Sequence, residues 1–216
     1  MGYGQGPPPS NPTSRLPQLA NNRPPPSPAP PPDADSSDLY PLFLAANSSH
    51  SGSLSESELG SALVNADFSA FDPYTITMMM RMFSTAPRLD FVTYEEFVNL
   101  WRFLAEWRGI FERFDEDHSG RISLGEFSKA LVAFGYRLSG SFTNVLYDTY
   151  NAKGILANQR RGSRTRQEGM SFDLFVQACI SLKRMTDIFK GYDDDRDGYV
   201  TLSFEEFLTE ILRLRE

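Results

Sequence analysis

Phe114-Asp115-Glu116-Asp117-His118-Ser119-Gly120-Arg121-Ile122-Ser123-Leu124-Gly125-Glu126-Phe127 is the stretch whose chemistry decides the fold. A Ca2+ ion takes six to eight oxygens, and a twelve-residue loop between two helices supplies them from positions 1, 3, 5, 7, 9 and 12. Counted from Asp115, those positions hold the carboxylates of Asp115 and Asp117, the Ser119 hydroxyl, the Arg121 carbonyl, Ser123 acting through water, and Glu126 with both carboxylate oxygens. Gly120 falls at position 6, where the chain turns sharply. Ile122 at position 8 is placed to pair with a neighbouring loop in a short antiparallel ladder. Amphipathic helices are expected on both sides, the longer over Thr93 to Phe114, where Phe97, Trp101, Leu104, Trp107, Phe111 and Phe114 recur at near-helical spacing.

The same frame recurs upstream with altered chemistry. Asn47, Ser49, Ser51, Gly52, Ser53, Leu54, Ser55 and Glu58 keep the full spacing, but neutral oxygens replace the carboxylates at positions 1, 3 and 5. Affinity falls with ligand charge, so this loop is expected to bind calcium weakly. The unit Thr85 to Glu96 keeps Val92 and Glu96 but places Pro87 and Leu89 at ligand positions and Asp90 at the turn, which leaves it without a calcium site. Asp72-Pro73 opens its leading helix. Met78, Met79, Met80 and Met82 on that helix are either core filler or a ligand surface.

Downstream, Asn151 to Leu174 reads as a fourth unit interrupted by extra residues and ending in leucine where the bidentate acid belongs, so it is not expected to hold metal. Its insertion carries Arg160, Arg161, Arg164 and Arg166, either a solvated loop or a docking patch for an acidic partner or headgroup. The fifth unit has Asp193, Asp195 and Asp197 at positions 1, 3 and 5, the Tyr199 carbonyl at 7 and Phe204 at 12. Lacking the bidentate glutamate, it is expected to take calcium weakly or a partly hydrated Mg2+, with Glu205 reaching in through water. Helices are predicted over Leu124 to Phe134, Ser141 to Tyr150, Phe172 to Phe189 and Ser203 to Leu214.

Twelve of the fifteen prolines precede Asp33, so residues 1–35 are expected to be a disordered, polyproline-rich tail, a solubiliser or a ligand for grooves that take Pro-rich strands. Residues 36–216 then form an all-α domain of five tandem units with about eight helices, near 38–66, 73–105, 106–134, 140–180 and 183–216. A net charge of -7 argues against nucleic acid as a partner and allows only peripheral, calcium-dependent membrane association. Cys179 lies in an apolar run and is expected to be a buried thiol in a reducing compartment. With no membrane span or secretory signal, a cytoplasmic protein is expected, with peripheral-membrane or nuclear placement left open. His50 and His118 both occupy position 4 of a loop, and no nucleophile, phosphate loop or zinc spacing accompanies them, so no enzyme is expected.

Five such units, of which the last two lack the acidic twelfth residue, behind a Pro/Gly-rich head resemble the penta-EF-hand family. Gly135-Tyr136-Arg137-Leu138-Ser139 and Leu182-Lys183-Arg184-Met185-Thr186-Asp187-Ile188-Phe189 strengthen the resemblance. It implies that the first hand pairs with the second and the third with the fourth. The fifth then pairs with its counterpart in a homodimer or heterodimer, through Val200, Leu202, Phe204, Phe207 and Leu208. It further implies a calcium-dependent adaptor with apolar pockets for Pro-rich protein ligands, Trp107 matching a pocket aromatic or else serving as core. The competing expectation is a structural regulatory subunit for which calcium is a minor term.

Overall fold

The computed structural model describes residues 36–65, 68–86, 90–160 and 169–215; the Pro-rich tail, Pro87, Leu89 and the arginines 161, 164 and 166 lie outside them. The chain runs α1 (Ser36–Ala46), β1 (Ser53–Ser55), α2 (Glu56–Ala62), α3 (Pro73–Phe83), β2 (Phe91–Thr93), α4 (Tyr94–Phe114), α5 (Leu124–Ala133), α6 (Gly140–Arg160), α7 (Phe172–Tyr192) and α8 (Phe204–Arg215). Helices α4 and α7 each leave one unit and enter the next, so five units need eight helices among the described residues.

Each complete loop starts its own exit helix with the residues at positions 9 and 12. Ser55 and Glu58, Thr93 and Glu96, and Ser123 and Glu126 form reciprocal capping boxes at the starts of α2, α4 and α5. The hydroxyl satisfies one orphan N–H of the first turn and the glutamate satisfies the N–H of the cap residue. The twelfth-position glutamate is thereby oriented by secondary structure before any ion arrives. Asp72 caps α3 through the Tyr74 N–H, with Pro73 at the first helical position.

The loops pair two by two. Strands β1 and β2 are antiparallel with Leu54 opposite Val92, and Ile122 bridges Met170. All four of these position-8 residues are 0% exposed. Around them Phe97, Phe111, Phe127 and Phe175 are fully buried, with Phe175 edge-on to both Phe111 and Phe127. Each such ring contributes about 1.5–3 kcal/mol by leaving water. Met78, Met79 and Met80 belong to this core and only Met82 is at the surface, which decides the methionine question for core. Cys179 is buried as well, and burial pushes its thiol far above its ordinary pKa.

One expectation fails in the fourth unit. Asn151 does not open a loop: α6 continues through it to Arg160, so the extra residues lengthen the helix first. Exit helices α2, α4, α5 and α7 all begin two residues after the position-8 residue, which fixes Met170 at position 8 and Leu174 at position 12.

The described residues form two units, one through Lys183 and one from Arg184 onward. In the second, Tyr192 donates its hydroxyl to Glu210 Oε1 at 2.8 Å, and Arg213 bonds the same oxygen at 2.7 Å, which seats α8 against the end of α7.

Candidate metal centre

The third loop is assembled by the C-terminal end of α4, which delivers Asp115, and the first turn of α5, which delivers Glu126. Asp115, Asp117 and Glu126 place one carboxylate oxygen each within 4.8 Å of the others, and Asp115 and Glu126 are both 6% exposed. Asp115 Oδ1 accepts the Ser119 N–H at 3.0 Å and Oδ2 the Gly120 N–H at 2.9 Å, which folds the chain around the first ligand. His118 has φ 53° and Gly120 φ 74°, a left-handed pair that the short turn requires. The Ser119 hydroxyl donates to the Arg121 carbonyl at 2.9 Å, so two further oxygens face the same point. Glu126 Oε1 accepts the Glu116 N–H and Oε2 the Ser123 N–H, both at 2.8 Å. Hydrogen bonds from Ser119 hold the Asp117 carboxyl below its ordinary pKa, ionised and ready for a cation. Hard oxygen donors, two carboxylates and a bidentate acid at these spacings fit calcium.

The first loop has the same backbone. His50 has φ 55° and Gly52 φ 83°, and Asn47 Oδ1 takes the place of an aspartate in accepting the Ser51 N–H at 3.2 Å. Ser49 Oγ lies 3.3 Å from Asn47 Oδ1 and donates to Ser51 Oγ at 3.1 Å, and Ser51 Oγ donates to the Ser53 carbonyl at 2.7 Å. Glu58 collects N–H donors from Ser55 and Ser49, which depress its pKa to about 2. Geometry is kept and charge is lost. Asn47→Asp with Ser49→Asp is therefore expected to tighten calcium binding at this loop at least about tenfold, read as a second strong site by calorimetry. An unchanged isotherm would show that the loop's backbone, not its charge, limits binding.

In the second loop, Glu96 Oε1 accepts from the Thr85 N–H at 2.7 Å and from its hydroxyl at 2.6 Å, while Oε2 accepts the Thr93 N–H at 2.8 Å. Burial acts to raise the Glu96 pKa, but these donors bring it below its ordinary value.

The fifth loop corrects the expected role of Glu205. Its first half copies the third loop: Asp193 Oδ1 accepts the Asp197 N–H at 3.1 Å and Oδ2 the Gly198 N–H at 3.2 Å, with Arg196 at φ 57° and Gly198 at φ 85°. Asp193, Asp195 and Asp197 converge as the third-loop acids do, and the Tyr199 N–H is tied to Asp197 Oδ1 at 2.8 Å. Its exit helix, however, begins at Phe204 with Ser203 and Glu206 in the reciprocal arrangement: the Ser203 N–H donates to Glu206 Oε2 at 2.8 Å and the Glu206 N–H to Ser203 Oγ at 3.3 Å. Two residues are inserted between Tyr199 and Ser203, so Glu206, not Glu205, holds the place that Glu126 holds in the third loop. Leu202, not Val200, then stands at the ladder position. The signal was in the sequence as Ser203-x-x-Glu206, a capping box that counting from Gly198 passes over. Glu206→Gln is expected to weaken magnesium or calcium uptake at this loop several-fold and Glu205→Gln to leave it unchanged; equal effects of the two would refute the assignment.

Among the other expected residues, Trp107 is half-buried and edge-on to Phe103, Phe134 and Phe175. Val200 and Leu202 are half-buried, while Phe204, Phe207 and Leu208 are 74%, 50% and 41% exposed. Among the described residues no helix is long and apolar enough to cross a membrane.

Comparison with known proteins agrees with this construction. The family described as "EF-hand domain pair" matches residues 104–212. Peflin of Xenopus laevis is 36% identical over 181 residues, covering 83% of this chain and 59% of that protein. The sorcin of Schistosoma japonicum is 34% identical over 175 residues, covering 81% of this chain and 94% of that protein. A solved structure of a homolog of programmed cell death 6 protein from Leishmania major Friedlin superposes with a TM-score of 0.64 at 27% identity, covering 83% of this chain and 95% of that chain. The chain spans about three fifths of the length of the peflins it matches.

Proposed function

Because the chain belongs to the penta-EF-hand family of calcium-binding proteins, we propose that it is a calcium-regulated dimeric adaptor, with Asp115, Asp117, Ser119, Arg121, Ser123 and Glu126 as its principal ion ligands. The observation that carries this reading is the position of Trp107. Its ring lies 6.2 Å from Phe134 at the end of α5 and 6.1 Å from Phe175 in α7, while its own helix α4 supplies Asp115 about two turns further on. The entering and exiting helices of the strongest loop thus meet around one half-exposed indole. An ion that draws Glu126 toward Asp115 changes the angle between α4 and α5, and an aromatic wedge between them is what such a change uncovers.

A half-open cluster of Trp107, Phe134 and Phe103 suits extended Pro-rich ligands, which pack pyrrolidine rings against aromatic faces with little loss of entropy. The fifth hand supplies the second property. Among the described residues the first loop pairs with the second and the third with the fourth. The apolar residues Phe204, Phe207 and Leu208 of the fifth stay exposed, and a second copy or a homologous hand satisfies them by the same pairing. Weaker ion sites at the first hand (Asn47, Ser49, Ser51, Ser53, Glu58) and the fifth (Asp193, Asp195, Asp197, Tyr199) tune the response, the fifth with magnesium as well as calcium. The site of action is cytoplasmic, with calcium-dependent contact at membrane surfaces or in the nucleus.

The test is apolar-dye binding and capture of Pro-rich peptides, with calcium and with chelator, on the parent and on Glu126→Gln. Calcium-dependent exposure in the parent that disappears in the variant supports the adaptor. Capture that ignores both chelator and substitution supports the alternative, a structural subunit for which calcium is a minor term.

A further inference from the structure

The exit of the fourth hand carries the most buried carboxylate among the described residues. Asp173, at the start of α7, is 2% exposed. Its Oδ1 accepts the Ser171 hydroxyl at 2.5 Å and its Oδ2 accepts the backbone N–H of Asp72 at 2.6 Å. Asp72 is the cap residue of α3, a helix of the first pair of hands. In return, the N–H of Asp173, one of the orphan donors of the first turn of α7, is accepted by Asn65 Oδ1 at 3.2 Å. Asn65 is 6% exposed and is fixed in turn by donating Nδ2 to Ser69 Oγ at 3.1 Å. The beginnings of α3 and α7 are therefore tied reciprocally, each giving an N–H to a side chain of the other's segment. Phe71 and Phe172 stack edge-on at 6.0 Å beside this joint, and the Lys153 ammonium on α6 lies 5.0 Å over the ring of Tyr74 on α3.

The joint is three residues from the ion loop's ladder. Ile122 exchanges N–H···O bonds with Met170 at 2.9 and 2.8 Å, and Arg121, whose carbonyl is an ion ligand, donates Nη1 to the Gly169 carbonyl at 3.1 Å. Gly169 has φ 104°, and a Cβ there would meet the Arg121 Cβ at 2.8 Å, so only glycine lets the fourth loop approach this closely. Residues 169–173 thus run without interruption from the calcium loop to the first pair of hands.

We infer that the fourth hand is a clamp, in which Asp173 and Asn65 tie the first pair of hands to the third loop and couple calcium binding there to the α2–α3 corner. This rests on the third loop's being the principal calcium site. The physical reason is preorganisation: a fourth loop already pinned at 171–173 holds Met170 in register, so less ordering is left to be done when the ion closes the third loop. By reciprocity the ion must tighten the joint by the same factor.

The test uses the full chain carrying Glu58→Gln, so that the first loop does not contribute to the strong phase of a calcium titration. Adding Asn65→Ala, or separately Asp173→Asn, is expected to weaken third-loop affinity about five- to tenfold while far-UV circular dichroism keeps its helical signature. In the otherwise unaltered chain, exchange of the Asp72 amide is expected to slow by a similar factor on adding calcium, and in Glu126→Gln to show no change. Unaltered affinity in the folded variants, or Asp72 exchange indifferent to calcium, overturns the clamp while leaving the calcium site standing. If Asn65→Ala does not fold, Asp173→Asn and the Asp72 exchange decide the matter alone. A parent that takes up no calcium overturns both.

Discussion

Glu126→Gln is expected to weaken calcium binding at the third loop by about a hundredfold, roughly 2.8 kcal/mol, and to remove the strong phase of a calorimetric titration. The substitution is informative because of what it preserves. The single carbonyl oxygen of glutamine still serves the capping box with Ser123, so α5 keeps its start, while the Glu116 N–H gives up its acceptor. What disappears is one negative charge and one of two strongly donating oxygens, both on the residue that closes the shell. Glu126 is 6% exposed and is the only bidentate acid the third loop can offer, since Asp115 and Asp117 are already committed by their positions. Loss of affinity with an unchanged thermal transition in chelator would assign the effect to ligation. Equal destabilisation of the calcium-free protein would instead mean that Glu126 matters as a cap, and unaltered uptake would remove the third loop from the principal role.

How far the fold could be read from the residues depended on whether function and local structure asked for the same ones. In the third loop they did. Asp115, Gly120, Ile122 and Glu126 are each required once by the ion and once by the backbone, and the structure puts them where the spacing says. The first loop was legible for the same reason, although its charges are gone: Asn47, Gly52 and Glu58 still satisfy the turn and the cap. Reading failed where one requirement had lapsed. At the fifth loop the twelfth residue counted from Asp193, Phe204, is no ligand, so counting from the turn gave no anchor, and only the helix start at Ser203 reveals the two added residues. At the fourth, Asn151 offered a plausible first ligand inside what is a continuing helix, and nothing in its own chemistry distinguishes the two. The joint of Asn65, Asp72 and Asp173 was illegible in principle, because its partners are separated by 101 and 108 positions and none belongs to a spaced motif.

Phe207→Asp combined with Leu208→Asp is expected to convert the proposed dimer to a monomer. Both side chains lie on α8 and are 50% and 41% exposed in the single chain, so neither substitution removes a core contact. Helix α8 is held within its own unit by Glu210, which is 7% exposed and accepts from Tyr192 and Arg213; the two substitutions leave that anchor untouched. Burying each large apolar side chain at a seam contributes about 1.5–3 kcal/mol, and every pair of seams related by a twofold axis loses them twice. The expected loss therefore exceeds about 3 kcal/mol before repulsion among the new carboxylates is counted, more than a hundredfold in the dimer's dissociation constant. Sedimentation equilibrium over a range of concentrations reads it directly. Calcium affinity at the third loop serves as the internal control, since a variant that has unfolded would lose that as well. Retained dimers in the double variant would place the subunit contact elsewhere than α8. A parent that is monomeric at every concentration but is recovered with a homologous chain would keep the seam and make its occupant a different hand.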